Sequence, residues 1–230
     1  MTRHVDRLLF THQGGRDFAV SASSLERAQW QTWEQQLRLF VRTGGSARPV
    51  TSIRYWCYGG KAAILRRTRG DGDTRSDQCQ VLVGDDRLLT HRTALATCAW
   101  RGWDPSYWTG SETLPEVSVD EINRLNQSRL ISWQDEKGDD LLTRAVGELL
   151  LHPQWPVALV SFQFDMGRAV AFLSALFDIL ENLLYGSAWT FSTYETSYDD
   201  EIPRIAFLPH RARHVVRGPD LEMRHAGPAP

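Results

Sequence analysis

Lys61 follows Gly60, a pairing that invites a phosphate-binding reading. A P-loop needs another Gly five residues before that Gly, and Ser or Thr directly after the Lys. Tyr55 and Ala62 occupy those positions, so the loop has neither the cradle nor the magnesium-binding hydroxyl. The chain is therefore expected not to hydrolyse GTP or ATP itself. Gly70 and Gly72 begin a dinucleotide fingerprint that fails at its third Gly, where Arg75 stands. Asp71, Asp73 and Asp77 alternate as calcium ligands do, but an EF-hand loop needs Gly sixth and Glu twelfth. Counting from Asp71, those residues are Ser76 and Leu82, so a solvated loop is expected. His210 and His214 are four apart, but no Cys or acid joins them and Arg211 and Arg213 flank them, which reads as a basic surface tail. Asp199, Asp200 and Glu201 read as solvated turn carboxylates. His12, Asp17 and Ser21 have no spacing that marks a triad, and no nucleophile elbow or zinc-protease helix is present. No catalytic residue, cofactor or metal ligand is assigned.

Two groups of residues have the chemistry of binding instead. Arg54, Trp56, Lys61, Arg66 and Arg67 lie on one expected hairpin, with Tyr55, Tyr58 and Arg69 among them. Cations that track a phosphate backbone, with rings that stack bases, suit single-stranded nucleic acid. The competing reading places Tyr55 and Cys57 towards the core and the arginines in solvent. The second group is Trp103, Tyr107 and Trp108, in the Gly- and Pro-punctuated stretch 101–115. Trp, Tyr and Arg are enriched at binding hot spots. These rings either contact a partner protein or plug a joint between two parts of the chain. Tyr194 and Glu195, in 189–209, complete the partner-binding set.

The elements that must position these groups follow from periodicity and punctuation. Segments 7–11 and 18–21 are short apolar runs around a turn with Gly14-Gly15. Ser23 and Glu26 have capping-box spacing, so a helix is expected to about Val41, with Trp30, Trp33, Leu37 and Phe40 on one face and Gly44-Gly45 after it. Segments 52–58 and 61–68 read as strands joined at Gly59-Gly60, a two-residue hairpin signal. Segments 79–83 and 90–100 read as a strand and a short helix. Ser118 and Glu121 repeat the capping spacing ahead of a helix over 118–130. A clearer helix covers 139–152, with Leu142, Val146 and Leu149 on its buried stripe. Segment 157–162 is an apolar strand, and 167–185 a long helix that includes Phe177 and stops at Gly186. Segment 189–194 alternates like a half-buried strand, and 205–208 is a last short one.

The expected architecture is α+β, mainly antiparallel strands with packed helices, in two closely associated parts. The divisions are 1–100, a joint at 101–116, 117–210, and a mobile tail at 211–230. The chain has 230 residues, 42% of them hydrophobic and 23% charged, which suits a globular fold of one or two domains. Cys57, Cys79 and Cys98 are odd in number and widely spaced, as reduced thiols would be. No signal-peptide pattern opens the sequence, and Asp178 and Glu181 interrupt the most apolar stretch. A soluble, cytoplasmic protein without membrane attachment is expected. Residues 1–115 carry 16 basic and 11 acidic side chains, whereas 116–230 carry 10 and 17. That asymmetry permits complementary docking.

Two stretches carry a family resemblance. One is the opening hairpin and helix together with Cys79-Gln80-Val81-Leu82-Val83-Gly84 and Leu88-Leu89-Thr90. The other is Trp189-Thr190-Phe191-Ser192-Thr193-Tyr194-Glu195 with Pro203-Arg204-Ile205-Ala206-Phe207-Leu208-Pro209. They resemble the N-terminal and middle regions of actinobacterial GTPase-associated proteins, over most of 5–210. The resemblance implies a place in an NTP-dependent conflict system of antiphage defence, where a GTPase partner supplies the nucleotide chemistry. It implies no catalytic residue. The function expected is a non-enzymatic adaptor or regulator that binds a partner protein such as a GTPase. Nucleic-acid binding, small-molecule sensing and an enzyme of unrecognised type are the alternatives.

Overall fold

The computed structural model describes residues 3–12, 18–42, 50–69, 77–108, 111–126, 140–153, 155–160, 165–181, 189–196, 203–209 and 220–222. Gly14-Gly15, Gly44-Gly45, Asp71, Asp73, Gly186, 199–201, His210, His214 and most of the expected tail lie outside them. The fold is α+β, and the chain divides into two compact units, 1–130 and 131–230.

In the first unit, β1 (His4–His12) and β2 (Phe18–Ser23) pair antiparallel. β3 (Val50–Tyr58), β4 (Lys61–Arg69) and β5 (Gln78–Asp85) extend the same sheet in the order β3-β4-β5-β1-β2, antiparallel throughout. The β3–β4 turn needs positive φ at both central residues, and Gly59 (60°) and Gly60 (80°) supply it. Lys61 is therefore the first residue of a strand, not the end of a phosphate loop. The outer edge of β2 is closed: the Val20 amide donates to Glu34 Oε1, and Ser23 and Leu114 exchange backbone bonds with the 112–114 segment and β2. An open edge would template pairing with another chain.

Strand alternation gives this sheet two covered faces. On one, Leu8, Phe10, Leu65 and Val81 pack with Trp33 and Leu37 of α1 (Arg27–Leu37). On the other, Ile64 and Leu82 are fully buried, and the Tyr55 hydroxyl donates to Leu89 O. That side of β3 packs with α2 (His91–Thr97), which in turn packs with α3 (Val119–Asn126). Short β6 (Val117–Ser118) pairs with the start of β1. The two expected helix starts fare differently. Ser23 stays in β2 opposite Leu8, so strand pairing holds the residue that the helix would have used, whereas α3 begins at Val119, directly after Ser118, where the S-x-x-E spacing places it. Helix α1 starts after Glu26, whose side chain makes no cap bond.

In the second unit, α4 (Asp140–Leu151) and α5 (Met166–Leu180) pack together. Asp165 caps α5 by accepting from the Gly167 amide at 2.8 Å. The strands β7 (Val157–Val160), β8 (Phe191–Ser192), β9 (Ile205–Leu208) and β10 (Asp220–Glu222) are paired in parallel, β10 with β7, β7 with β9 and β9 with β8. Antiparallel pairing is thus a property of the first unit. Strands buried on both faces read as continuous apolar runs, as Val157–Val160 and Ile205–Leu208 do.

Several expectations change here. Residues 189–194 form only a two-residue strand, and Trp189, Phe191, Ser192, Thr193 and Tyr194 are all buried, so the segment is covered on both sides. Trp33, Leu37, Leu142, Leu149 and Phe177 are buried as expected, but Val146 is only half-buried, because the α4 stripe narrows around Ala145 and Leu149. Within the expected tail, 220–222 pairs with β7, setting Leu221 opposite Leu159. The stretch 101–115 belongs to the first unit. Among the described residues, no helix is long and apolar enough to cross a membrane.

Candidate functional site

Segment 101–108 is two short 3-10 turns, Arg101–Trp103 and Pro105–Tyr107, laid over the α2 side of the first unit's sheet. Asp104 joins them. Its carboxylate accepts from the Ser106 amide at 2.9 Å and the Ser106 hydroxyl at 2.7 Å, and these bonds hold its pKa below the ordinary carboxylate value. Three indoles fix the segment from inside. Trp103 Nε1 donates to Thr97 O at 2.7 Å, Trp108 Nε1 to Gly102 O, and Trp100 Nε1 to Glu121 Oε1 at 3.3 Å. The Trp103 and Trp108 rings stack at 5.6 Å, and Trp100 meets Trp103 edge-on at 5.1 Å. Gly102 is required by this closeness, since a Cβ there would overlap the Trp100 indole.

Two arginines of the sheet reach the same segment. Arg7 of β1 sits with its guanidinium 5.0 Å from the Trp108 ring and donates from Nη1 to Tyr107 O at 3.1 Å. Arg66 of β4 donates from Nη1 to Trp103 O at 2.9 Å and to Gln80 Oε1 at 2.8 Å. Arg7 pairs with Leu82 of β5, while Gln80 pairs with both Leu9 and Arg66. Arg7, Gln80 and Arg66 therefore share one sheet face. Burial lowers the pKa of both arginines from its ordinary high value, with Glu121 and Asp104 respectively opposing the shift.

The partner-binding set is thus divided. Trp103 and Trp108 are 4% and 1% exposed, packing side chains of the first unit rather than free anchors. Tyr107 is 60% exposed, although its backbone is pinned by Arg7 and by its amide bond to Asp104 O. Tyr194 and Glu195 lie in the second unit, where Tyr194 is buried and Glu195 half-buried with its amide on Phe207 O at 2.8 Å.

The nucleic-acid set does not form one open stripe. Arg54 is buried with its guanidinium 4.3 Å from the Phe40 ring, and Arg67 is buried with Nε on Ser52 Oγ at 3.1 Å. Trp56 is half-buried against Trp33 and Phe40. Lys61 is exposed and lies 5.3 Å from the Trp33 ring. Those four share the α1 side of the sheet, and Arg66 is on the other. Sequence reading overlooked Arg7 and Gln80. Their only signal is a polar residue inside an otherwise apolar strand run, a pattern shared by many solvent-facing positions.

Among the described residues, no three His, Cys, Asp or Glu side chains gather as metal ligands. No protein-family model matches the chain, and no curated protein or solved structure matches it.

Proposed function

We propose that the chain is a non-enzymatic adaptor or regulator that binds a partner protein, a GTPase of a bacterial conflict system, and that it acts in the cytoplasm. Tyr107 is the observation that carries this reading. Its phenol is exposed, yet three hydrogen bonds hold the turn beneath it: Arg7 Nη1 to Tyr107 O, the Tyr107 amide to Asp104 O, and the Trp108 amide to Pro105 O. A large amphipathic ring on an already ordered backbone loses little freedom on binding, which favours affinity. The resemblance to GTPase-associated proteins supplies the class of partner.

Affinity copurification of the tagged chain, wild type beside Tyr107→Ala, with mass spectrometry of the captured proteins, tests the proposal. The expected result is a GTPase enriched by the wild type and depleted by the variant at unchanged melting temperature. A hot-spot loss of roughly 2 kcal/mol corresponds to about a thirtyfold weaker complex. The same proteins captured at the same ratio by both chains, or no GTPase among them, overturns it.

A further inference from the structure

Arg7 and Gln80 hold unspent hydrogen-bond donors inside the tryptophan-lined face of the first unit. Arg7 is 7% exposed and Gln80 0%. Arg7 gives Nη1 to Tyr107 O, but its Nε makes no hydrogen bond. Gln80 gives Oε1 to Arg66, but its Nε2 makes none. Both orphaned groups are donors, so what satisfies them must be an acceptor.

Charge narrows the choice. Arg7 and Arg66 bring two guanidinium groups to this face, and among the described residues neither forms an ion pair with a carboxylate. Glu121 and Asp104 act on them only through longer-range attraction. Each is also engaged elsewhere, Glu121 with Trp100 Nε1 and Asp104 with Ser106. Arg7 is buried and Arg66 half-buried, and desolvated cations without a counter-charge are disfavoured. The acceptors that Arg7 and Arg66 use in segment 101–108 are neutral carbonyls, and an oxyanion makes a stronger, charge-assisted bond than a carbonyl does.

We propose that Arg7, Gln80 and Arg66 form a binding site for a small oxyanion, a carboxylate or phosphate group, beneath segment 101–108. Gln80 is central to it. It lies directly opposite Arg66 on β4 and diagonal to Arg7 on β1, and its amide nitrogen is the free end of the carboxamide. The oxyanion takes the Gln80 and Arg7 Nε donors and replaces one or both carbonyl bonds, so binding lifts part of segment 101–108. The site stands on this sheet face alone and does not depend on the adaptor reading.

Thermal melts and calorimetric titrations of the full chain test it, with inorganic phosphate in one arm and acetate in the other, at ionic strength held constant with chloride. The expected result is a saturable rise in melting temperature with at least one of them, and the stronger arm identifies the oxyanion. Gln80→Glu places a carboxylate between the two arginines. That variant should melt above wild type without added anion and bind the effective anion at least tenfold more weakly. Arg7→Lys keeps the charge but removes Nε, and should also bind at least tenfold more weakly. A wild type that responds to neither anion overturns the proposal. So does a Gln80→Glu chain that melts lower than wild type, fails to fold, or responds as wild type does.

Discussion

The Arg7 guanidinium lies 5.0 Å from the Trp108 ring and 5.8 Å from the Trp100 ring, while its Nη1 holds Tyr107 O. One strand residue thus clamps both ends of a nine-residue stretch. Stacking a cation on an indole contributes about 0.5–2 kcal/mol, and burial of the ring contributes more. Trp108→Ala should cost about 3–5 kcal/mol through lost transfer energy and the cavity left behind. A thermal melt should show a clear drop, and an unchanged melt would mean that the ring packs on nothing.

Gly102→Ala tests the closeness of that stretch directly. The added methyl would meet the Trp100 indole, which is itself held by Glu121 and by the edge of Trp103. Overpacking of this kind costs about 1–3 kcal/mol. Chemical denaturation should show a lower midpoint at an unchanged slope.

Asp6 links the start of the chain to pH. Burial raises its carboxyl above the ordinary value, with Ser24's hydrogen bond opposing and Glu116 adding to the rise. The folded state therefore binds this proton more tightly than the unfolded chain does. Its contribution to stability is fully present below the unfolded carboxyl pKa and is lost as pH rises through the folded one. Asp6→Asn keeps an acceptor for Ser24 and carries no charge. It should melt higher than wild type at pH 7, and the difference should shrink towards pH 3. A difference that does not vary with pH would rule out this account.

Leu149 and Leu150 are neighbours on α4 with opposite fates, 0% and 42% exposed. Leu149→Ala should cost about 2–5 kcal/mol, whereas Leu150→Ala should stay within about 0.5 kcal/mol. Parallel denaturant titrations would measure the contrast, and equal losses would place both residues in the core.

The sequence alone determined those features that depend on near neighbours. Gly59-Gly60 set the β3–β4 hairpin because only glycine accepts two positive φ angles cheaply. The apolar runs 157–160 and 205–208 marked buried strands, and paired apolar positions marked α4 and α5. The failures were of another kind. Ser23 carries a helix-start signal, but pairing with Leu8 of β1 claimed it, and α1 starts only after Glu26. Alternation shows that Arg7 shares a face with Leu9, and Arg66 with Ile64, but not that a later segment covers that face. Only the tertiary structure decided that Trp103 and Trp108 are buried, that Tyr107 between them is exposed, and that Arg7, Gln80 and Arg66 meet. Burial depends on which elements pack over a residue, and those contacts join positions far apart in sequence, 100 residues in the case of Arg7 and Tyr107.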